Sequence, residues 1–307
     1  MSYAALPTLR TPRLTLRPLT QDDTDAVYAG VSDYDVIRWL GRIPYPYGWD
    51  DAVAFIARVY DEDLMVWGIE DAGGLVGVVG IDEELGYWLA QPAWGMGYGF
   101  EAAVAVLKYW FSDPERGSVE SGHYDDNTRS RRILSALGFK PVGQRLRFAR
   151  ALSKGVMGTD VILTRESWAA RQAFTVCTSR LVLRPWSVSD APALAALVTP
   201  EVARMTGSMA SDWSLTDAEA YIAARQWRGY PGFLLAIDWN GRMVGVIGCG
   251  GTPVSLMYAL GIKYWGQGIA SEAITAFLGE FFERFPIDGL NADCFEDNPA
   301  SAHVLHK

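Results

Sequence analysis

Apolar positions in this chain fall into short runs of period two, separated by stretches of helical spacing, and the whole series occurs twice. Leu14-Thr15-Leu16 and Leu181-Val182-Leu183 read as strands ending at Pro18 and Pro185, each followed by a capping-box helix start, Thr20-x-x-Asp23 and Ser187-x-x-Asp190. Val53, Ile56 and Val59 space a second helix, with Tyr221, Ile222 and Arg225 as the counterpart. Three strands then follow in each half. They are Val66 to Ile69, Leu75 to Ile81 and Leu85 to Ala90, mirrored by Phe233 to Asp238, Arg242 to Gly248 and Leu256 to Ile262. Asn240-Gly241 supplies a hairpin-turn signal. A Gly-rich segment leads into an apolar helix, Phe100 to Phe111 or Ser271 to Phe282, then a short strand and a helix opening near Asn127 or Asn298. The order β-α-α-β-β-β-α-β-α predicts an α/β unit, an α+β mixed sheet that is mostly antiparallel.

The two series are copies. Arg13 to Pro18 recurs at Arg180 to Pro185, Val76 to Gly80 at Val244 to Gly248, Trp94 to Gly97 at Trp265 to Gly268, and Asp126-Asn127 at Asp297-Asn298. Order and spacing hold across all four, and a repeat of about 170 residues is domain-sized, so a whole domain is duplicated. The predicted domains are 1–170 and 171–307, meeting between Trp168 and Thr178.

Composition narrows the function classes. Half the 307 residues are apolar and 21% are charged, inside the globular range. No apolar run approaches the length of a bilayer span, and Met1 to Arg13 lacks the apolar core of a secretion signal. The expectation is no membrane and a cytoplasmic location. Three widely spaced cysteines, Cys177, Cys249 and Cys294, argue against a disulfide framework and against a metal site. The net charge is −9 and both halves are acidic, which disfavours nucleic acid and suits a cationic substrate.

The chemistry is expected at Trp94-Gly95-Met96-Gly97-Tyr98-Gly99 and Trp265-Gly266-Gln267-Gly268-Ile269-Ala270, each between a strand and a helix N-terminus. Alternate glycines free the backbone to present N–H groups, and the helix end adds partial positive charge, so each segment is an anion site. No Gly-Lys-Ser/Thr follows, and the spacing is not that of a dinucleotide-binding turn. A pyrophosphate other than that of NTP or NAD is implied.

These segments resemble the GNAT acetyltransferases, and within them the branch like the ribosomal-protein N-terminal acetyltransferases RimJ and RimL. The superfamily motif Gln/Arg-x-x-Gly-x-Gly/Ala is matched by Trp94-x-x-Gly97-x-Gly99 and Trp265-x-x-Gly268-x-Ala270, with Trp in the first place as in that branch. The later Asn-x-x-Ser motif appears at Asn127 to Ser130 and Asn298 to Ser301, with Leu137-Gly138-Phe139 after the first. The resemblance covers both halves and implies a tandem acyl-CoA N-acyltransferase fold whose fourth and fifth strands splay apart. Acetyl-CoA would lie in that opening, its pantetheine against the backbone near Leu89 and Leu260 and its pyrophosphate on the glycine turn. Asn127 and Asn298 would contact the cofactor or cap the helix that follows.

The reaction implied is direct attack of a primary amine, on a small molecule or a protein N-terminus, on the thioester. Many members protonate the leaving thiolate with a Tyr seven positions after the Asn, where this chain has Leu134 and Leu305. Ser130 and Ser301 are the replacement seen in RimL-like proteins. His123 is a candidate base, and Glu83 and Glu84 are candidate partners for a cationic amine. Glu101 and Glu272, in the first helical turn, read as structural, and Tyr87, Trp88 and Tyr258 as packing or acceptor-pocket residues. The second half ends before the strands that close the first, so its sheet is expected to be truncated, or covered by the first half or a partner chain, with a homodimer as one arrangement. A CoA-binding pseudoenzyme and a structural protein are the alternative classes.

Overall fold

Alternation builds the first sheet. The computed structural model describes residues 6–81, 84–207, 209–210 and 213–306. Strands β1 (Leu9–Arg10), β2 (Thr15–Pro18), β3 (Val66–Asp71), β4 (Gly74–Ile81) and β5 (Leu85–Leu89) form an antiparallel sheet in that order. Leu16 pairs with Ile69, and both are fully buried. Helices α1 (Thr24–Val31), α2 (Tyr34–Ile37) and α3 (Trp49–Asp61) cover one face through Val27, Val31, Ile37 and Ile56. The predicted capping box is present at Thr20 and Asp23, closing a 3-10 turn ahead of α1. The two-residue β1 and the single-turn α2 were not legible in the pattern.

Beyond β5 the chain forms α4 (Tyr98–Trp110), β6 (Ser118–Tyr124), α5 (Thr128–Leu137), β7 (Lys140–Ala149) and β8 (Lys154–Thr164). The last three strands make a separate sheet in the order β6-β8-β7. It touches the first sheet through one parallel bridge, Glu84 to Glu120, and the Ser121 hydroxyl donates to Leu85 O at 2.8 Å. Past that point β5 and β6 are not paired among the described residues, which is the opening the family resemblance implied. The chain then runs through α6 (Arg165–Gln172).

The chain divides into two compact units, Met1–Ala169 and Ala170–Lys307. The second repeats the plan with β9 (Val176–Cys177), β10 (Leu181–Pro185), α7 (Ala191–Leu197), α8 (Pro200–Thr206), α9 (Leu215–Ala224), β11 (Phe233–Trp239), β12 (Arg242–Gly250), β13 (Ser255–Leu260), α10 (Ile269–Arg284) and α11 (Pro299–Leu305). Its sheet runs β13-β12-β11-β10-β9. Asn240 and Gly241 both have positive φ, as a two-residue hairpin turn requires. The β3–β4 and β11–β12 pairs share a register shift at matching places, Ile69/Glu70 and Ile237/Asp238. Gly77 and Gly245 sit where an added Cβ would come within 2.3 and 2.4 Å of the next strand's carbonyl oxygen, so the repeated glycine keeps β5 and β13 close. One expectation fails. The short strand before Asn298 is not formed among the described residues, where Asn291 makes a single parallel bridge to Ser255.

Candidate functional site

Each glycine turn is set by backbone conformation. Gly95 and Gly97 have φ of 75° and 77°, Gly266 and Gly268 of 71° and 76°, the left-handed region that side chains disfavour. Gly97 and Gly268 are the N-caps of α4 and α10. An added Cβ at Gly95 or Gly266 would meet nothing within 4 Å, so there is open space in front of both turns.

Two residues that the sequence reading left out hold the turn. Arg13 donates from Nη1 to Met96 O at 2.7 Å and from Nε to Glu101 Oε2 at 2.7 Å. The Glu101 carboxylate also accepts from the Arg13 backbone N–H at 3.0 Å and from the Thr11 hydroxyl at 2.5 Å. Arg180 repeats the set, reaching Gln267 O at 3.2 Å and Glu272 Oε2 at 2.7 Å, with Thr178 donating to Glu272 at 2.5 Å. Hydrogen bonds from Thr178 and then Arg180 hold the Glu272 carboxyl below its usual range, against the opposing effect of burial. Glu101 and Glu272 are structural, as expected, but their partner is an arginine as well as a helix end. The signal was present, because Arg13 and Glu101 both belong to repeated segments. An added Cβ at Gly97 or Gly268 would lie 3.3 and 3.6 Å from Arg13 and Arg180 Nη2, which puts an arginine, ion-paired to its glutamate, beside each turn. In the first unit Arg129 adds another, with its guanidinium 4.2 Å from the Trp94 ring centre.

The tryptophans have a specific task. Trp94 Nε1 donates to Leu89 O and Trp265 Nε1 to Leu260 O, both at 2.8 Å. Ala90 and Gly261 N–H bond back to Val76 O and Val244 O, so antiparallel alternation turns the backbone groups of Leu89 and Leu260 outward. The carbonyls expected to meet pantetheine therefore already accept an indole N–H.

Asn127 and Asn298 are helix caps, accepting at Oδ1 from Ser130 N–H at 3.1 Å and Ser301 N–H at 3.0 Å. That leaves the serine hydroxyls for another partner. Ser130 Oγ lies 3.1 Å from Tyr87 Oη, and Ser301 Oγ lies 2.6 Å from Tyr258 Oη. Burial raises both phenols, with the serine hydrogen bond opposing it, so both stay protonated at neutral pH.

The remaining candidates are not brought to this point. His123 is buried on β6 with Nδ1 against Tyr124 O at 2.9 Å, and it lines a cavity of about 670 Å³ with Asp125, Arg131, Leu134, Phe139 and Thr159. Ser130 does not line that cavity. Glu84 is engaged by Arg145 at 3.8 Å, and Glu83 lies outside the described residues. Trp88 packs against the core under α1. Among the described residues no group of three or more His, Cys, Asp or Glu is placed to hold a metal ion, and no helix is long and apolar enough to cross a membrane.

A family model described as "Acetyltransferase (GNAT) domain" matches residues 13–140 and again 180–307. The uncharacterized N-acetyltransferase YoaA of Bacillus subtilis is 30% identical over 151 residues, 45% of this chain and 85% of that protein. The uncharacterized N-acetyltransferase p20 of Bacillus licheniformis is 28% identical over 152 residues, 44% and 84% of the two chains. Among solved structures, Mycobacterium smegmatis RimJ in complex with CoA-disulfide superposes with a TM-score of 0.46 at 21% identity, over 52% of this chain and 87% of that one.

Proposed function

This chain belongs to the GNAT acetyltransferase family, and from that premise we propose that it transfers acetyl from acetyl-CoA to a primary amine by direct attack. The observation that carries the reading is the duplicated turn: two left-handed glycines, open space in front of them, a helix N-terminus behind, and an arginine alongside. Backbone N–H groups at a helix N-terminus suit a pyrophosphate, and in the first unit Arg129 adds a cation. Arg13, Arg129 and the turn 94–99 would hold it in the first unit, and Arg180 with the turn 265–270 in the second.

Acetyl-CoA supplies an activated acyl group, and the residues of the chain supply position. Gly97 and Gly268 aim their helices at the phosphates, while Trp94 and Trp265 fix the end of the strand that borders the opening. Positioning alone accounts for a large share of the rate in such a transfer. An α-amine with pKa near 8 is about one tenth neutral at pH 7, whereas lysine costs about 4–5 kcal/mol to deprotonate, so an N-terminus needs little help from a base.

Calorimetric titration of acetyl-CoA into the intact chain and into Gly95→Trp and Gly266→Trp tests this. Each substitution fills the open space at one turn, and left-handed strain costs only about 1–2 kcal/mol. Loss of a binding event in one variant identifies a working unit. Absence of binding in the intact chain would sink the enzyme reading.

A further inference from the structure

A contact outside the glycine turns that both units repeat is the one between tyrosine and serine. It rests on the function proposed above. Tyr87 lies on β5 two residues before Leu89, and its ring packs beside Gly99, where an added Cβ would meet Tyr87 Cδ2 at 3.8 Å. From there its hydroxyl reaches Ser130 at the start of α5. The contact therefore spans the opening between β5 and the segment after β6. Tyr258 and Ser301 make the same contact 171 residues on. All four side chains are half-buried, so they border the opening.

We infer that Tyr87 and Tyr258 are positioning residues that aim the serine hydroxyl at the leaving sulfur. The serine N–H is taken by the Asn cap, which fixes the backbone but leaves the hydroxyl free to rotate. A phenol that stays protonated is a permanent donor, and when it donates to Ser Oγ the serine's own hydrogen must point elsewhere, into the opening. As the C–N bond forms and the C–S bond breaks, the nitrogen releases one proton and the sulfur takes one up. Serine hands its proton to sulfur and is refilled from water, with the tyrosine neutral throughout. The raised phenol pKa suits a fixed donor and argues against the tyrosine being the acid itself. The Leu134 and Leu305 positions, which carry the acid in many family members, are thus replaced by a two-residue device reaching across the opening.

The test uses the full chain with Tyr87→Phe, Tyr258→Phe and the double variant, each keeping the ring and its packing. Thiol release from acetyl-CoA is followed with short peptides bearing a free N-terminus, with spermidine, and with water alone. The inference expects kcat to fall about tenfold in the variant of each working unit, with KM for acetyl-CoA changed less than twofold. Adding Tyr87→Phe to Ser130→Ala should cause no further loss, because the tyrosine acts only through the serine. With 4-nitrophenyl acetate, whose leaving group departs unprotonated, variant and parent should be equal. A distorted fold would lower both reactions and overturn the inference. So would unchanged kcat in the double variant of a chain that turns over acetyl-CoA, although the proposed function would stand. A parent chain that neither binds nor turns over acetyl-CoA would overturn both.

Discussion

The two units match at the glycine turn and at the tyrosine–serine contact, and differ along the rest of the far side of the opening. Arg13, Glu101, Trp94, Tyr87, Asn127 and Ser130 each have a counterpart making the same contact in the second unit. Across the opening, the first unit has Tyr124 packed over Gly41, with Arg147 and Asp160 paired on the sheet β6-β8-β7. The second has Phe295 packed over Gly207, exposed, and a single bridge at Asn291. Among the described residues the buried Tyr124 hydroxyl and Arg147 Nε find no partner, and Phe295 has no such group. On the function proposed here, the side that meets the shared acyl donor is held constant, while the side facing the acceptor has been free to change.

The largest effect that separates the units is at the carboxylate under each turn. The Glu101 side chain is 5% exposed and that of Glu272 19%. Glu101→Ala should cost about 2–3 kcal/mol, because Arg13 and Thr11 lose a buried partner, and Glu272→Ala about 1 kcal/mol. Urea midpoints for the two variants check this, and equal losses would erase the distinction.

The next effect depends on pH. Arg184 holds the Asp190 carboxyl below its usual range, with burial opposing it. For Asp23 burial is the largest influence and raises it, and the bonds from Arg17 and Thr20 together outweigh it. A depressed native pKa stabilises above the unfolded value, near pH 4, and that stability is lost as pH falls through the native value. Asp190→Asn should therefore cost about 1 kcal/mol at pH 7 and progressively less below pH 4. Asp23→Asn should show the shallower profile, and urea unfolding from pH 3 to 7 compares them.

The smallest effect has the opposite sign. Tyr124→Phe removes an unpartnered buried hydroxyl and should stabilise the first unit by about 0.5–1 kcal/mol. Phe295→Tyr, at an exposed ring, should stay within about 0.5 kcal/mol of zero. A loss on Tyr124→Phe, read as a lower urea midpoint, would mean that its hydroxyl has a partner in solution.

Much of this was legible because the chain says it twice. Most strands, the turn and the long helices were readable from periodicity and repetition, and the Asn-x-x-Ser segment from the family resemblance. Contacts between distant segments were not. Arg13 and Glu101 are 88 residues apart and Tyr87 and Ser130 are 43 apart, and no local rule joins them. Propensity also misled at the segment before Asn298, because a strand needs a neighbour to pair with and only Asn291 finds one among the described residues. His123 was a candidate by residue type and by its place on the strand before Asn127, and that strand turns it towards α5.

The arginine under each turn has a consequence for how the chain assembles. Glu101 waits for a residue 88 positions earlier, and Glu272 for one 92 positions earlier, so neither turn is locked until a long loop has closed. Closure at that separation costs entropy that no nearby contact repays in advance, which places it late in folding. During synthesis the helix behind each turn can form before the turn is locked. On the function proposed here, capacity to hold the cofactor would then report that the whole unit, first strand included, has closed.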